Sequence, residues 1–363
     1  MVFTRRTITP ILRFQAALLT VAVLAGCAPA VAPAPAQPAA PGAPPAAAPA
    51  KPVQPVTLKY GILGFTWANS WELVAEQKGF FADEKLTIES VIANPSSAGV
   101  CQQVLAKAAE LGSCSINDMI QAVENGATSL VQFIGIYNAP INYGVMAKAN
   151  IRAWADLKGK TVMVGGPKDN TVYFIHVMAR ANGLKDADYD FQYAGSSGNR
   201  FAALKAGAVD AAIVTDPFDF QAEQEGFTRL DNMVPKYVNG SNYGYSAHVV
   251  RADWAKDHAD EMTRFIRAYF RSIAWMHDPA NKDALFQVVS PKLNMTRESF
   301  ERIYKGQIVE SKLYSTDGKI TDAGVGGVLK SLVELGALKD PTPPPGKYYD
   351  LTWVNLALQS LKR

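Results

Sequence analysis

A chain of 363 residues, 48% of them hydrophobic and 19% charged, is longer than one compact core accommodates, so two globular units with appendages are expected. The formal charge of +3 is only mildly basic, and no Lys/Arg block interleaves with aromatic residues, which argues against nucleic acid as a partner.

At the N-terminus, Arg5, Arg6 and Arg13 precede an apolar segment from Phe14 to Ala25 that is too short to persist as a membrane-spanning helix. The segment ends in Leu24-Ala25-Gly26-Cys27 and resembles a bacterial lipoprotein signal. That resemblance implies cleavage before Cys27, lipidation of its thiol and an extracytoplasmic protein anchored to a membrane; an ordinary secretory signal is the alternative. Residues 28–56 are nearly pure Ala and Pro, which predicts an extended, semi-rigid spacer between anchor and folded part. Of the 3 cysteines, Cys101 and Cys114 then remain as a pair in an oxidising compartment.

The alternation of Val56, Leu58, Tyr60 and Ile62 predicts a half-buried strand broken at Gly64. A loop carrying Phe65, Trp67 and Asn69 follows, then a helix opened by Trp71 and closed by Gly79. Strand Leu86–Ala93, a turn at Asn94-Pro95-Ser96, helix Val100–Ala109 and strand Glu110–Ile116 complete a βαβ pattern. A helix descending from the strand ends and a strand climbing back place Cys101 and Cys114 at similar heights, so a disulfide between them is expected, with two buried free thiols as the alternative. Asn117-Asp118 begins the next loop, Met119–Asn125 reads as a helix, Leu130–Tyr137 as a strand with Asn138 at its end, and Ile141–Ala147 as strand-like.

The pattern then repeats. Strand Thr161–Val164 runs into a loop from Gly165 to Thr171 that opens helix Val172–Asn182, where backbone N–H groups suit an anion or a carbonyl oxygen. Lys168 precedes this helix without the glycine and Ser/Thr spacing of a nucleotide phosphate loop. Strand Tyr189–Tyr193, a polar loop with Ser196, helix Arg200–Ala206 and strand Ala208–Val214 lead to Thr215-Asp216-Pro217-Phe218. The stretches AKAAELGSCSIND and LKAGAVDAAIVTDP occupy the same slot in the two halves, a weak internal repeat. After Tyr243–Val250, a single long amphipathic helix is expected over Ala252–Met276, followed by helices Lys282–Val289, Arg297–Ile308 and Asp322–Leu335 and a last one from Thr352.

Three motifs in this order, WELVAEQKGFFADEKLTIE, ADLKGKTVMVGG and RFAALKAGAVDAAIVTDPF followed by EQEGF, resemble substrate-binding proteins of ATP-binding-cassette importers. The group is that of the nitrate, sulfonate and thiamine-pyrimidine (NMT1/THI5-like) binders. The resemblance implies an α/β, two-lobed periplasmic-binding-protein fold of type II, with crossover hinge strands at Tyr143–Ala147 and Tyr243–Val249. One lobe would comprise 57–145 and 246–363, the other 146–245. It also implies a ligand in the cleft, closure by hinge motion, and delivery to a permease and ATPase by a monomer.

Strand-to-helix loops of both lobes should face that cleft. This nominates Phe65, Trp67, Asn69, Ser96, Asn117, Tyr137 and Asn138 from one side, and Asp169, Asn170, Thr171, Ser196, Asp216, Phe218 and Tyr243 from the other. Trp67 either stacks on a planar ligand or fills the core; for each polar residue a helix cap is the competing role. Lys168 and Arg200 are the cations placed to meet an oxyanion, whereas Asp118, Asp169 and Asp216 disfavour one. A neutral or weakly cationic planar heterocycle of the pyrimidine or flavin type is therefore preferred over nitrate, an alkylsulfonate or an aromatic carboxylate. An enzyme related to thiamine-pyrimidine synthases would need a positioned Lys and a nearby His, and the 4 histidines fall outside these loops. No His/Cys/Asp grouping has metal-ligand spacing, and neither metal nor cofactor is expected. A module feeding a sensor instead of a permease fits the sequence equally well.

Overall fold

Leu58 and Tyr60 are buried while Thr57 and Lys59, which alternate with them, are exposed, and this alternation builds the first strand. The computed structural model describes residues 53–92, 96–138, 141, 143–232, 237–238 and 243–361. Its strands are β1 (Val56–Gly61), β2 (Leu86–Val91), β3 (Leu111–Ser115), β4 (Leu130–Gly135), β5 (Tyr143–Ala147), β6 (Lys160–Val164), β7 (Tyr189–Tyr193), β8 (Ala211–Thr215), β9 (Thr228–Asn232) and β10 (Ser246–Arg251). They form two five-stranded sheets, ordered β2-β1-β3-β10-β4 and β7-β6-β8-β5-β9. The two orders are equivalent, so the internal repeat in the sequence reflects a repeat of topology.

In each sheet four strands point the same way and the fifth enters antiparallel to both its neighbours: β10 between β3 and β4, and β5 between β8 and β9. These are the expected crossover strands, each held within a single sheet. All of Tyr143–Ala147 bonds to β8 or β9, so the change of sheet falls before Tyr143 and not at 145. The hydrogen-bond ladder decides this boundary, and apolarity alone does not reveal it. Strand β9 was not foreseen, because TRLDN has neither an apolar run nor clear alternation. The N-terminal signal, Cys27 and the Ala/Pro spacer lie outside the described residues, except for its last few positions.

The helices are α1 (Ser70–Gln77), α2 (Phe80–Asp83), α3 (Ser97–Leu105), α4 (Ile116–Glu124), α5 (Asn170–Ala181), α6 (Ser197–Lys205), α7 (Phe218–Gln224), α8 (Ala252–Asp257), α9 (Ala259–His277), α10 (Lys282–Leu293), α11 (Arg297–Ile303), α12 (Asp322–Glu334) and α13 (Thr352–Leu361). The long helix expected over 252–276 is broken at His258, whose backbone leaves the helical region and whose ring stacks on Trp254 at 4.3 Å. Helix Arg297–Ile308 likewise ends early, passing into a wider π-helical turn over Tyr304–Glu310.

Glycines let α3 lie close against the first sheet: a Cβ on Gly112 would meet Val100 Cγ1 at 2.6 Å. On the sheet's other side, Trp71 and Tyr60 pack with Phe133, His248, Phe265 and Tyr269 into an aromatic core. His248 Nδ1 is 2.8 Å from Tyr60 Oη, and burial lowers the pKa of this imidazole to about 3, so it remains neutral. The C-terminal helices pack on the first sheet and reach the second half through Arg302–Glu223 at 3.1 Å, Arg180–Glu334 and Gln307–Asp216.

Candidate functional site

The C-terminal ends of the parallel strands in both sheets, with the helix starts that follow them, enclose a cavity of about 720 Å³. Of the residues nominated from sequence, it is lined by Phe65, Asn69, Ser96, Tyr137, Asp169, Asn170, Thr171, Ser196 and Phe218. The side chains repeat across the cleft. Ser96 Oγ accepts the Gly99 N–H at the start of α3, and Ser196 Oγ accepts that of Asn199 at the start of α6. One residue on, Ser97 Oγ accepts from Ser115 N at 2.7 Å, and Ser197 Oγ accepts from Thr215 N at 3.2 Å. Each half therefore ties a helix start to the end of its third parallel strand through one serine.

Five nominated residues, Trp67, Asn117, Asn138, Asp216 and Tyr243, face elsewhere. Trp67 is 2% exposed and packs edge-on against Phe300, with ring centroids 6.1 Å apart, while its carbonyl accepts from Tyr314 Oη at 2.5 Å. Helix α4 begins at Ile116, and one helical step turns a side chain by about 100°. Asn117 thus packs behind the cavity wall with its Oδ1 accepting from Gln121 Nε2 at 2.7 Å, and Asp118 lines the cavity in its place. Asn138 turns back to donate to the carbonyls of Lys312 (2.9 Å) and Tyr314 (3.4 Å). Asp216 is buried against Gln307 Nε2, and desolvation together with the nearby Asp219 pushes its pKa well above the ordinary carboxylate range. Tyr243 stacks on Tyr173 at 5.7 Å, with its hydroxyl 3.4 Å from Ser331 Oγ; Tyr245, two residues on, faces the cavity. Residues 243–245 precede β10 and are not in regular strand, so the period of two that would put 243 and 245 on one face does not hold there.

Sequence reasoning missed the hydrogen-bonded pair Tyr143 and Tyr245, whose hydroxyls meet and whose rings, with Tyr137, form the inner wall of the cavity. Burial pushes the Tyr143 phenol up to about 12. Gln121 was also missed; it donates to the Lys168 carbonyl across the cleft at 3.1 Å.

The polar lining is mostly hydroxyls and amides, with two carboxylates, Asp118 and Asp169. Ser97 Oγ donates to Ser115 Oγ at 3.2 Å, which in turn donates to Asp118 Oδ2 at 2.7 Å. Burial first, and the charge of Asp169 second, raise the Asp118 carboxyl to about 7. Asp169 caps α5, its Oδ1 accepting from Thr171 N at 2.7 Å and from Thr171 Oγ1 at 2.5 Å. The cations are engaged by the protein. Arg200 donates to the carbonyls of Ile213 (2.6 Å) and Gly195 and to Ser197 Oγ (2.9 Å), and Lys168 Nζ donates to the Gly336 carbonyl at 2.9 Å.

Cys101 and Cys114 are buried and unbonded, their Sγ atoms 2.7 Å apart, and Cys114 borders the cavity. Burial raises the Cys114 thiol well above its ordinary range. No group of three or more His, Cys, Asp or Glu among the described residues is arranged to hold a metal ion. No helix among them is long and apolar enough to cross a membrane.

No curated protein sequence matches this chain. Among solved structures, the alkanesulfonate-binding protein SsuA from Xanthomonas axonopodis pv. citri, bound to MOPS, aligns with TM-score 0.66 and 16% identity, covering 82% of this chain and 99% of that one. The periplasmic nitrate-binding protein NrtA from Synechocystis PCC 6803 aligns with TM-score 0.68 and 14% identity over 85% of this chain and 89% of that one. The desulfurization enzyme DSZB gives TM-score 0.59 and 13% identity over 84% and 99%. These likenesses show the two-lobed α/β fold of periplasmic binding proteins. A family profile described as NMT1/THI5 like matches residues 70–282, more than half of the sequence, and the chain belongs to that family.

Proposed function

We propose that the protein is the extracytoplasmic solute-binding component of an ATP-binding-cassette importer, tethered through Cys27, which captures a small planar heterocycle and delivers it to a membrane permease. The observation that carries this reading is the cavity of about 720 Å³ between two topologically equivalent halves, within the size range of small-molecule sites. Nitrate alone would leave most of that volume to water. Faces of a ring system match the tyrosines at 137, 143 and 245 and the phenyl rings of Phe65 and Phe218.

A second reading, a small oxyanion or organic acid, is favoured by the helix starts of α3, α5 and α6 converging on the cavity and by the sulfonate and nitrate named for two structural neighbours. Catalysis finds less support. The cavity-lining nucleophile Cys114 is held as a thiol by burial, and no histidine is among the lining residues. Native mass spectrometry of the purified protein, followed by thermal-shift titration, is the direct test. A bound solute should raise the midpoint with the logarithm of its concentration; absence of any co-purified or added solute would remove the reading.

The same localisation bears on the thiols. In an extracytoplasmic compartment Cys101 and Cys114 are expected to join, releasing two protons and two electrons to a compartment oxidant. Mass spectrometry of the exported, non-reduced protein should find that peptide pair cross-linked and short of two hydrogens; two alkylatable thiols would show that they stay reduced.

A further inference from the structure

We infer that the solute presents a planar edge of N–H donors which Asp118 and Asp169 accept from opposite halves of the cleft, so that bound solute offsets a repulsion between the halves. The inference rests on the solute-binding reading and specifies which chemistry the site selects. Asp118 belongs to α4 on the first sheet, and Asp169 precedes α5 on the second; both line the cavity. Each spends part of its acceptor capacity on its own helix start, Asp118 through Ser115 and Asp169 through Thr171. A carboxylate has about four lone-pair sites, so each retains capacity toward the cavity.

The basic groups nearby are committed differently. The guanidinium of Arg200, 4% exposed, is turned onto two carbonyls and a serine of its own half, and Lys168 reaches out to Gly336. An entering oxyanion would therefore meet two carboxylates and few uncommitted cationic donors. A ring with amino, imide or protonated-nitrogen donors meets acceptors on both sides and tyrosine faces between them. Because the two carboxylates line one cavity from opposite halves, bringing the halves together without a donor between them is unfavourable, and the upward push of Asp169 on the Asp118 carboxyl agrees with this.

The sign of the pH dependence distinguishes the ligand classes. Also lining the cavity with Asp118 are Asp169, Arg200, Lys168, Tyr137, Tyr143, Tyr245 and Cys114; the three phenols and the thiol are pushed upward by burial and do not titrate near neutrality. A donor edge needs ionised Asp118, so its affinity should fall up to about tenfold per pH unit below 7 and level off above. An oxyanion should bind more tightly as the pH falls.

The experiment is calorimetric titration of the full mature protein with riboflavin, a 4-aminopyrimidine, MOPS and nitrate from about pH 5.5 to about pH 8.5, beside Asp118→Asn and Asp169→Asn. The expected result is binding of a donor heterocycle with the rising profile, weakened about tenfold or more in Asp118→Asn, which also flattens the profile. The wild-type profile needs no variant, and circular dichroism checks that each variant folds. Tight binding of MOPS or nitrate that improves at low pH or in Asp118→Asn, without heterocycle binding, overturns the donor-edge inference and leaves solute binding standing. If no compound binds and no solute co-purifies, both fall.

Discussion

Replacing Trp67 with alanine should lower the unfolding free energy by about 3–5 kcal/mol, the usual cost of truncating a large buried aromatic. Its indole is 2% exposed, edge-on to Phe300 in α11, and its own carbonyl holds Tyr314. The residue therefore joins the loop after β1 to the C-terminal helices, and its removal opens a cavity between two packed layers. The same turn is capped by Thr66, which accepts from Ala68 N, and by Asn69, which accepts from Thr66 N, so a shift of the turn would carry Asn69 and Phe65 away from the cleft. Denaturant unfolding measures the loss directly. Weakened ligand affinity with stability lowered by less than about 1 kcal/mol would instead place the indole at the ligand surface.

The second large effect concerns Glu72, 3% exposed in α1, which accepts from Ser90 Oγ and from Asn69 Nδ2. Burial raises its carboxyl from 4.5 to about 7 against the opposing pull of those two donors. A folded-state pKa above the unfolded one means that the native protein keeps a proton the unfolded chain has lost. The stabilisation is then complete below about pH 4.5 and is lost as pH rises through 7, at roughly 1.4 kcal/mol per unit and about 3 kcal/mol in all. Glu72→Gln carries a permanently neutral group of the same shape. It should be the more stable protein at pH 8, by up to about 3 kcal/mol, and should match the wild type at about pH 4. Parallel stability curves for the two proteins across this range would show that Glu72 is already ionised in the fold. Because Glu72 positions Asn69, the same ionisation bears on one wall of the cleft.

The errors in reading the site share one origin. Trp67, Asn117, Asn138, Asp216 and Tyr243 each lie within two residues of a side chain that does line the cavity: Ala68, Asp118, Tyr137, Phe218 and Tyr245. A loop can be assigned to the cleft from strand order, but which of two adjacent side chains turns inward depends on where the helix or strand register begins. At Asn117 the helix starts at Ile116, one residue before the expected loop begins, and that register exchanges an amide for a carboxylate. Asp216 and Asn138 were drawn away by partners far along the chain, Gln307 in the π-helical turn and the carbonyls of Lys312 and Tyr314. No local pattern encodes such pairings.

What the amino-acid sequence determined by itself was periodic and local: the parallel strands, the helices that follow them, the serine and aspartate starts of α3, α5 and α6, and the repeat of one half in the other. Alternation, capping chemistry and glycine breaks act over a few residues and are legible without the fold. Tertiary structure alone decided that β5 and β10 each insert antiparallel into one sheet, that Trp67 belongs to the core, that Arg200 is spent on carbonyls, and that Asp216 turns away from the cavity that Asp118 and Asp169 line. Those outcomes depend on groups brought together from distant parts of the chain. Burial and charge proximity, which set the ionisation of Asp118 and Glu72, exist only once the chain has folded.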